Sequence, residues 1–202
     1  MKRLAVLISN AGTGTNLQAI IDAIKSKKLN AKISVVVSSD RDAYGLTRAK
    51  ENKIPIEICS NKKKLLPILK KYKVDFVCLA GWKQIISDEV ISAYPNKILN
   101  LHPGLISDKI DGFVIAPDGS KALWNRGMLT DVAIKNFLDN NASWAGSSIH
   151  FLSSEFDFGK VLDRCFEKIR KTDSVESLYS RLKKKENELY IQVLIKLCNG
   201  RK

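Results

Sequence analysis

Asn100 and His102 stand two residues apart in the run Leu99-Asn100-Leu101-His102-Pro103. In an extended strand, residues i and i+2 project from one face. An amide and an imidazole are then presented together, and Pro103 ends the strand directly after them. Such a pair can polarise a carbonyl oxygen through the amide N–H and move a proton through the ring. A histidine satisfied by local hydrogen bonds is the other reading of the same residues. Asp157 lies between aromatics in Phe156-Asp157-Phe158-Gly159. A carboxylate in partly apolar surroundings has a raised pKa and can join in proton transfer, although most loop aspartates are solvated or build turns. The only other histidine, His150, falls inside an expected strand and reads as structural or supporting.

A second kind of chemistry is offered by Asn10-Ala11-Gly12-Thr13-Gly14-Thr15-Asn16. Glycines let the backbone approach a ligand closely. A helix N-terminus behind them turns N–H groups and a positive dipole end toward an anion. Thr13, Thr15 and Asn16 add side-chain donors. The run is neither a Walker loop, which needs Gly-Lys-Ser/Thr, nor a full GxGxxG dinucleotide fingerprint. A phosphate monoester fits it better than a dinucleotide, with a plain tight turn as the alternative. Cys59, Cys78, Cys165 and Cys198 have neither CxxC spacing nor a nearby histidine. They read as structural residues, so no metal site is expected.

These groups need elements to hold them. Residues 4–9, 33–37, 54–58, 74–79 and 98–101 are short apolar, β-prone runs, the pattern of strands buried on both faces of a parallel sheet. Between them, residues 16–25, 43–52, 65–72 and 88–93 read as helices; in the first, Leu17, Ile20, Ile21 and Ile24 have helical spacing. Residues 104–125 lack a period and are rich in Gly, Asp and Pro, so a long surface loop is expected there. A helix over 129–138, strands over 147–152 and 161–169, and a long amphipathic helix over 175–198 complete the chain. The alternation predicts an α/β fold: an open, mostly parallel twisted sheet with helices on both faces. Such sheets bind ligands beyond the carboxyl ends of their strands. That is where the Gly-rich turn and the Asn100–His102 pair fall.

With 202 residues, 45% of them hydrophobic, one globular domain can bury a core without staples. The opening MKRLAVLISN has too short an apolar run for a signal peptide, and a Gly-rich turn replaces the cleavage site. No stretch approaches the roughly 18–20 apolar residues that cross a bilayer. A cytoplasmic protein is expected. The net charge of +13 owes much to lysine runs at 62–64 and 183–185. Both lack the interleaved aromatics of a base-stacking surface, so they read as solvated faces or as steering for an anionic substrate.

Ser9 through Asp22, Leu79-Ala80-Gly81-Trp82, Leu99 through Pro103, and Ser148-Ile149-His150-Phe151 with Asp157 resemble the phosphoribosylglycinamide formyltransferases, a branch of the folate-dependent formyltransferases. The resemblance runs from the first strand to the last helix, excepting the middle loop. It implies a Rossmann-like formyltransferase fold in a single domain, 1–202, with an insertion at about 109–129. It implies that Asn100 and His102 stabilise the formyl oxygen, and that Asp157 holds His102 or a relaying water. Gly12, Thr13, Gly14, Thr15 and Asn16 would cradle the substrate phosphate, and Glu186 would lie near its ribose and glycinamide. Trp82, Lys83, Gln84, Ile85 and Ile86, with Leu152, Ser153, Ser154, Glu155 and Phe156, would form the pterin pocket.

The implied donor is 10-formyltetrahydrofolate, consumed as a cosubstrate, and no metal is implied. The implied partners are small molecules, with neither nucleic acid nor membrane; the chain would be a monomer or homodimer. The sequence departs from the family in a longer Gly-rich turn, in Trp82-Lys83-Gln84, in Gly104-Leu105-Ile106-Ser107-Asp108 and the insertion, and in Phe158 beside Asp157. Three rivals share some of these features. An amino-sugar-nucleotide formyltransferase would share Asn100, His102 and Asp157. A formyltetrahydrofolate hydrolase would use water in place of the amine and is expected to carry a further N-terminal domain. A basic nucleic-acid-binding module would have no need of His102.

Overall fold

The computed structural model describes residues 1–10, 12–109, 112–125, 129–154 and 159–200. Its strands are β1 (Lys2–Ile8), β2 (Ala31–Ser38), β3 (Ile56–Ile58), β4 (Phe76–Leu79), β5 (Ile98–His102), β6 (Val114–Ile115), β7 (Lys121–Ala122), β8 (Trp144–Phe151) and β9 (Val161–Lys168). Its α-helices are α1 (Thr15–Lys25), α2 (Gly45–Glu51), α3 (Leu65–Lys71), α4 (Asp88–Ala93), α5 (Thr130–Asp139) and α6 (Val175–Cys198). A seven-stranded sheet has the order β3-β2-β1-β4-β5-β8-β9. The pairs of β1 with β2, β1 with β4, β2 with β3 and β4 with β5 are parallel, and β8 with β9 is antiparallel. The expected mostly parallel α/β sheet is therefore present.

Two compact units divide the chain. One comprises Met1–Asn100 together with the chain from Ile191 onward, and the other Leu101–Tyr190. In the first, Leu4 through Ile8 are almost wholly buried, as an uncharged strand between two parallel neighbours must be. α1 turns Leu17, Ile20 and Ile21 inward at the expected spacing. Four of this unit's helix ends lack a glycine. Lys27, Lys53, Lys73 and Asn96 take positive φ there instead. After α2 and α3 the returning chain closes on the helix through Ile54 N–H to Ala49 C=O and Val74 N–H to Leu69 C=O, the bonding of a Schellman stop.

In the second unit, Leu105, Val114, Ala116, Ala122, Ile134, Phe137, Ala145, Leu178 and Leu182 form one buried cluster. This corrects the expectation of a surface loop over 104–125. Leu105, Ile106, Ser107 and Asn125 are buried, and β6 pairs with β7 as a short antiparallel ribbon. Asp118 ties the ribbon's tip down by accepting a hydrogen bond from Trp144 Nε1 at 2.8 Å. Two-residue strands are too short to show alternation, and their anchor is remote in sequence, so the segment reads as irregular. Among the described residues no helix is long and apolar enough to cross a membrane.

Candidate active site

In the first unit, parallel pairing lines up three strand ends. Leu7 of β1 pairs with Leu79 of β4, and Leu79 pairs with Asn100 of β5. The strand order reverses between β1 and β4. Such a switch point opens a crevice beyond the carboxyl ends of the strands. The Gly-rich turn leaves β1 there, residues 80–86 leave β4 there, and Asn100 stands there on β5.

Gly14 caps α1 with φ 69° and ψ 25°, a left-handed conformation that suits glycine. No side chain caps the helix, and the first intrahelical bond is Gln18 N–H to Gly14 C=O. The amides of the first turn thus face outward, as an anion site requires. The turn is braced from the side. Arg48 of α2 donates from Nε to Thr13 C=O at 3.0 Å and from Nη1 to Gln18 Oε1 at 2.9 Å. Asn10 Nδ2 donates to Asp40 Oδ2 at 2.9 Å. The close approach of Gly14 to Gly45 lets α2 bring Arg48 there, since a Cβ on Gly14 would stand 3.0 Å from Gly45 Cα.

Ser9 joins the turn to the segment after β4. Its Oγ accepts from the Lys83 N–H at 3.1 Å and from Ser39 Oγ at 2.9 Å. Asn16 Oδ1, Trp82 Nε1 and Gln84 Oε1 are buried with no hydrogen-bond partner among the described residues. Buried polar groups are ordinarily paired, so these three mark positions where a polar ligand would find partners. Of the remaining expected pocket residues, Lys83 and Ile85 are exposed and Ile86 packs inward.

In the second unit, His102 closes β5, 4% exposed. Its Nε2 lies 3.0 Å from the main-chain oxygen of Asn125. Ser148 Oγ accepts from the Ile106 N–H at 2.9 Å, and Arg164 Nε donates to the Ile106 carbonyl at 2.7 Å. Arg164 also pairs with Asp108 at 3.0 Å. His150 is wholly buried, with Nδ1 3.0 Å from the Phe151 carbonyl. Glu186 is 2% exposed and accepts from Ser147 Oγ at 2.6 Å. Burial pushes its carboxyl up, opposed by the Ser147 hydrogen bond and the Lys183 charge. Leu152 and Ser153 are half-buried and Ser154 is exposed. Glu155, Phe156, Asp157 and Phe158 lie outside the described residues, as does Ala11 of the turn.

The structure thus brings the turn, Trp82–Gln84 and Asn100 to one strand-end row within the first unit. It places His102, His150 and Glu186 in buried positions in the second. Sequence reasoning missed Ser9, Arg48 and Asn125. Arg48 lies 35 residues from Thr13 and Asn125 lies 23 from His102, and neither has a local pattern to announce it. Among the described residues, no group of three or more His, Cys, Asp or Glu could hold a metal ion.

The family model described as "Formyl transferase" matches residues 2–194. The chain is 32% identical to phosphoribosylglycinamide formyltransferase of Haemophilus influenzae, over 100% of this chain and 89% of that protein. It is 30% identical to the chloroplastic phosphoribosylglycinamide formyltransferase of Arabidopsis thaliana, over 99% of this chain; it spans 66% of that protein's length. Among solved structures, glycinamide ribonucleotide transformylase 1 from Symbiobacterium toebii superposes with a TM-score of 0.83 at 30% identity, over 100% of this chain and 89% of that one.

Proposed function

The chain belongs to the formyl transferase family, and from that premise we propose that it transfers a formyl group from 10-formyltetrahydrofolate to the amine of glycinamide ribonucleotide, a step of purine biosynthesis. The observation that carries the proposal is the row of strand ends Leu7, Leu79 and Asn100. Around that row lie an uncapped helix N-terminus and three unpartnered buried polar atoms.

Each set of residues has a task in this reaction. The first-turn amides of α1, with Gly12, Thr13, Gly14, Thr15 and Asn16, hold the phosphate, and Arg48 keeps their turn in shape. Trp82 Nε1 and Gln84 Oε1 offer one donor and one acceptor, which suits the amide-like edge of a pterin ring. The family resemblance assigns Lys83, Ile85 and Ile86 to the folate as well, together with Leu152, Ser153, Ser154, Glu155 and Phe156. 10-Formyltetrahydrofolate supplies the formyl carbon.

Transfer makes one C–N bond and breaks another, and moves one proton from the attacking amine to the departing nitrogen. Asn100 donates an amide hydrogen to the formyl oxygen as charge builds on it. His102 handles the proton, with Asp157 positioning the ring or a water. Glu186 orients the ribose and the glycinamide. Direct attack by a neutral amine depends on this alignment and needs no covalent nucleophile.

The test is an assay with both substrates, run beside His102→Ala. The wild type should form formylglycinamide ribonucleotide, and the variant should lose about 10²–10⁴-fold in kcat. Full activity in a folded His102→Ala variant rejects the role of His102. Folate turnover that ignores glycinamide ribonucleotide rejects the acceptor.

A further inference from the structure

Ser9 stands between the end of β1 and the Gly-rich turn, buried and fixed by its neighbours. The Ser39 N–H donates to the Ile8 carbonyl at 3.1 Å, and Ser39 Oγ donates to Ser9 Oγ at 2.9 Å. Asn10, the next residue, is tied to Asp40 at 2.9 Å. The segment after β4 has less support of its own. The Ala80 N–H donates to the Leu7 carbonyl at 2.8 Å. The chain then turns away through Gly81 at φ 85°, a backbone that favours glycine. Space is not what requires glycine there, since a Cβ would meet nothing within 4 Å. Residues 82–86 belong to no helix or strand. Among the described residues they make one hydrogen bond, from the Lys83 N–H to Ser9 Oγ at 3.1 Å.

An amide N–H can only donate, so the Ser9 hydroxyl oxygen is the acceptor whichever way its own hydrogen turns. The bond grips the rigid peptide plane between Trp82 and Lys83, which sets the backbone torsions beside both Trp82 and Gln84. Each of those side chains carries a buried polar atom without a hydrogen-bond partner, Trp82 Nε1 and Gln84 Oε1. We propose that Ser9 is a positioning residue for the folate: its hydroxyl pins the Trp82–Lys83 peptide to the end of β1, and so holds the donor on Trp82 and the acceptor on Gln84 in place for the pterin edge. The root of the phosphate turn thus serves the other substrate as well. The inference rests on the reading of Trp82 and Gln84 as folate contacts.

Amide hydrogen exchange reads the bond without an activity assay. Ile85 supplies the comparison, an exposed residue of the same segment whose N–H has no hydrogen bond among the described residues. Relative to their intrinsic rates, the Lys83 amide should exchange at least about tenfold more slowly than the Ile85 amide in the ligand-free protein. Ser9→Ala should erase the difference. Equal rates at Lys83 and Ile85 in the wild type overturn the proposal, and so does a slow Lys83 amide that survives Ser9→Ala.

Kinetics read the consequence. Ser9→Ala should raise KM for 10-formyltetrahydrofolate about 3–10-fold, the worth of one hydrogen bond, with kcat and KM for glycinamide ribonucleotide within about twofold of wild type. Ser39→Ala removes the neighbouring hydroxyl bond and leaves the Lys83 bond in place, so both KM values should stay within about twofold. An unchanged folate KM in Ser9→Ala, or an equal rise in both KM values, overturns the positioning role. A matching folate rise in Ser39→Ala overturns it too, because general loosening of the strand ends would then be the cause. Should Ser9→Ala not fold, Gly81→Ala carries the same two readouts, since forcing φ out of the positive range draws Lys83 off Ser9 without a change in β1. Failure of the proposed function would appear as absent formyl transfer in the wild type, which leaves the exchange result readable.

Discussion

At the scale of single residues, Glu186 couples stability to pH. It is nearly inaccessible, its carboxyl accepts one hydroxyl bond from Ser147, and burial raises its pKa from 4.5. The sign follows from proton counting. Above 4.5 the unfolded chain releases a proton that the folded chain still holds, so the contribution to stability is full below 4.5 and is lost as pH rises through the folded value. Glutamine keeps the shape without the charge. Glu186→Gln should therefore melt above wild type at about pH 8, and the gap should close by about pH 5. A lower melting temperature at the higher pH would mean that Lys183 holds the carboxylate charged. The same variant should raise KM for glycinamide ribonucleotide if the carboxylate meets the substrate. The positions of Asn100 and His102, two apart at the end of β5, were legible because a strand's two-residue period and a proline sit within five letters. Ser9 and Asn125 were not, since one acts as a hydroxyl bridge and the other through its main chain, which no side-chain pattern records.

At the scale of elements, the junction of α1 with the turn and α2 depends on glycine. Gly14 combines a positive φ with a contact to Gly45 that a methyl group would tighten to 3.0 Å. Gly14→Ala should cost about 1–2 kcal/mol and lower the melting temperature by about 2–8 °C. Because the same backbone aims the first-turn amides, KM for glycinamide ribonucleotide should rise while KM for the folate stays near wild type. An equal rise in both would place the turn away from the phosphate. The boundaries of α1, α4 and α6 were legible to within a residue, because apolar spacing marks helices in both strands of evidence the sequence offers: where they begin and which side is buried. Strand β8 begins at Trp144, three residues ahead of the expected start. Gly146 and its small neighbours dilute the β signal, although Ala145 and Gly146 are buried. The ribbon β6–β7 was hidden differently. Pro117-Asp118-Gly119 is a recognisable turn, but its flanking strands have two residues each.

At the scale of the whole molecule, the excess of 34 Lys and Arg over 21 Asp and Glu has two readings that salt can separate. Part of the basic surface is already committed locally. Arg181 binds Glu167 at 2.8 Å and Asp173 at 2.7 Å, and holds both carboxyls below their ordinary range. Lys62, Lys63 and Lys64 are exposed instead, in a short 3-10 turn that Asn61 ties down by accepting from the Lys63 N–H through its side chain and from the Lys64 N–H through its carbonyl. Charges of that kind act on a distant substrate only through the summed field, which added salt screens as the Debye length falls from ~30 Å at 0.01 M to ~8 Å at 0.15 M. If the field steers the doubly anionic substrate, kcat/KM for glycinamide ribonucleotide should fall severalfold over that range, with kcat almost constant. Reversing Lys62, Lys63 and Lys64 to glutamate should then flatten the slope without changing kcat, since association alone has lost its guidance. A kcat/KM that ignores both salt and the reversal would assign the lysines to solvation. The phosphate would then be captured by the backbone of one helix end, an interaction of such short range that ions a Debye length away cannot reach it.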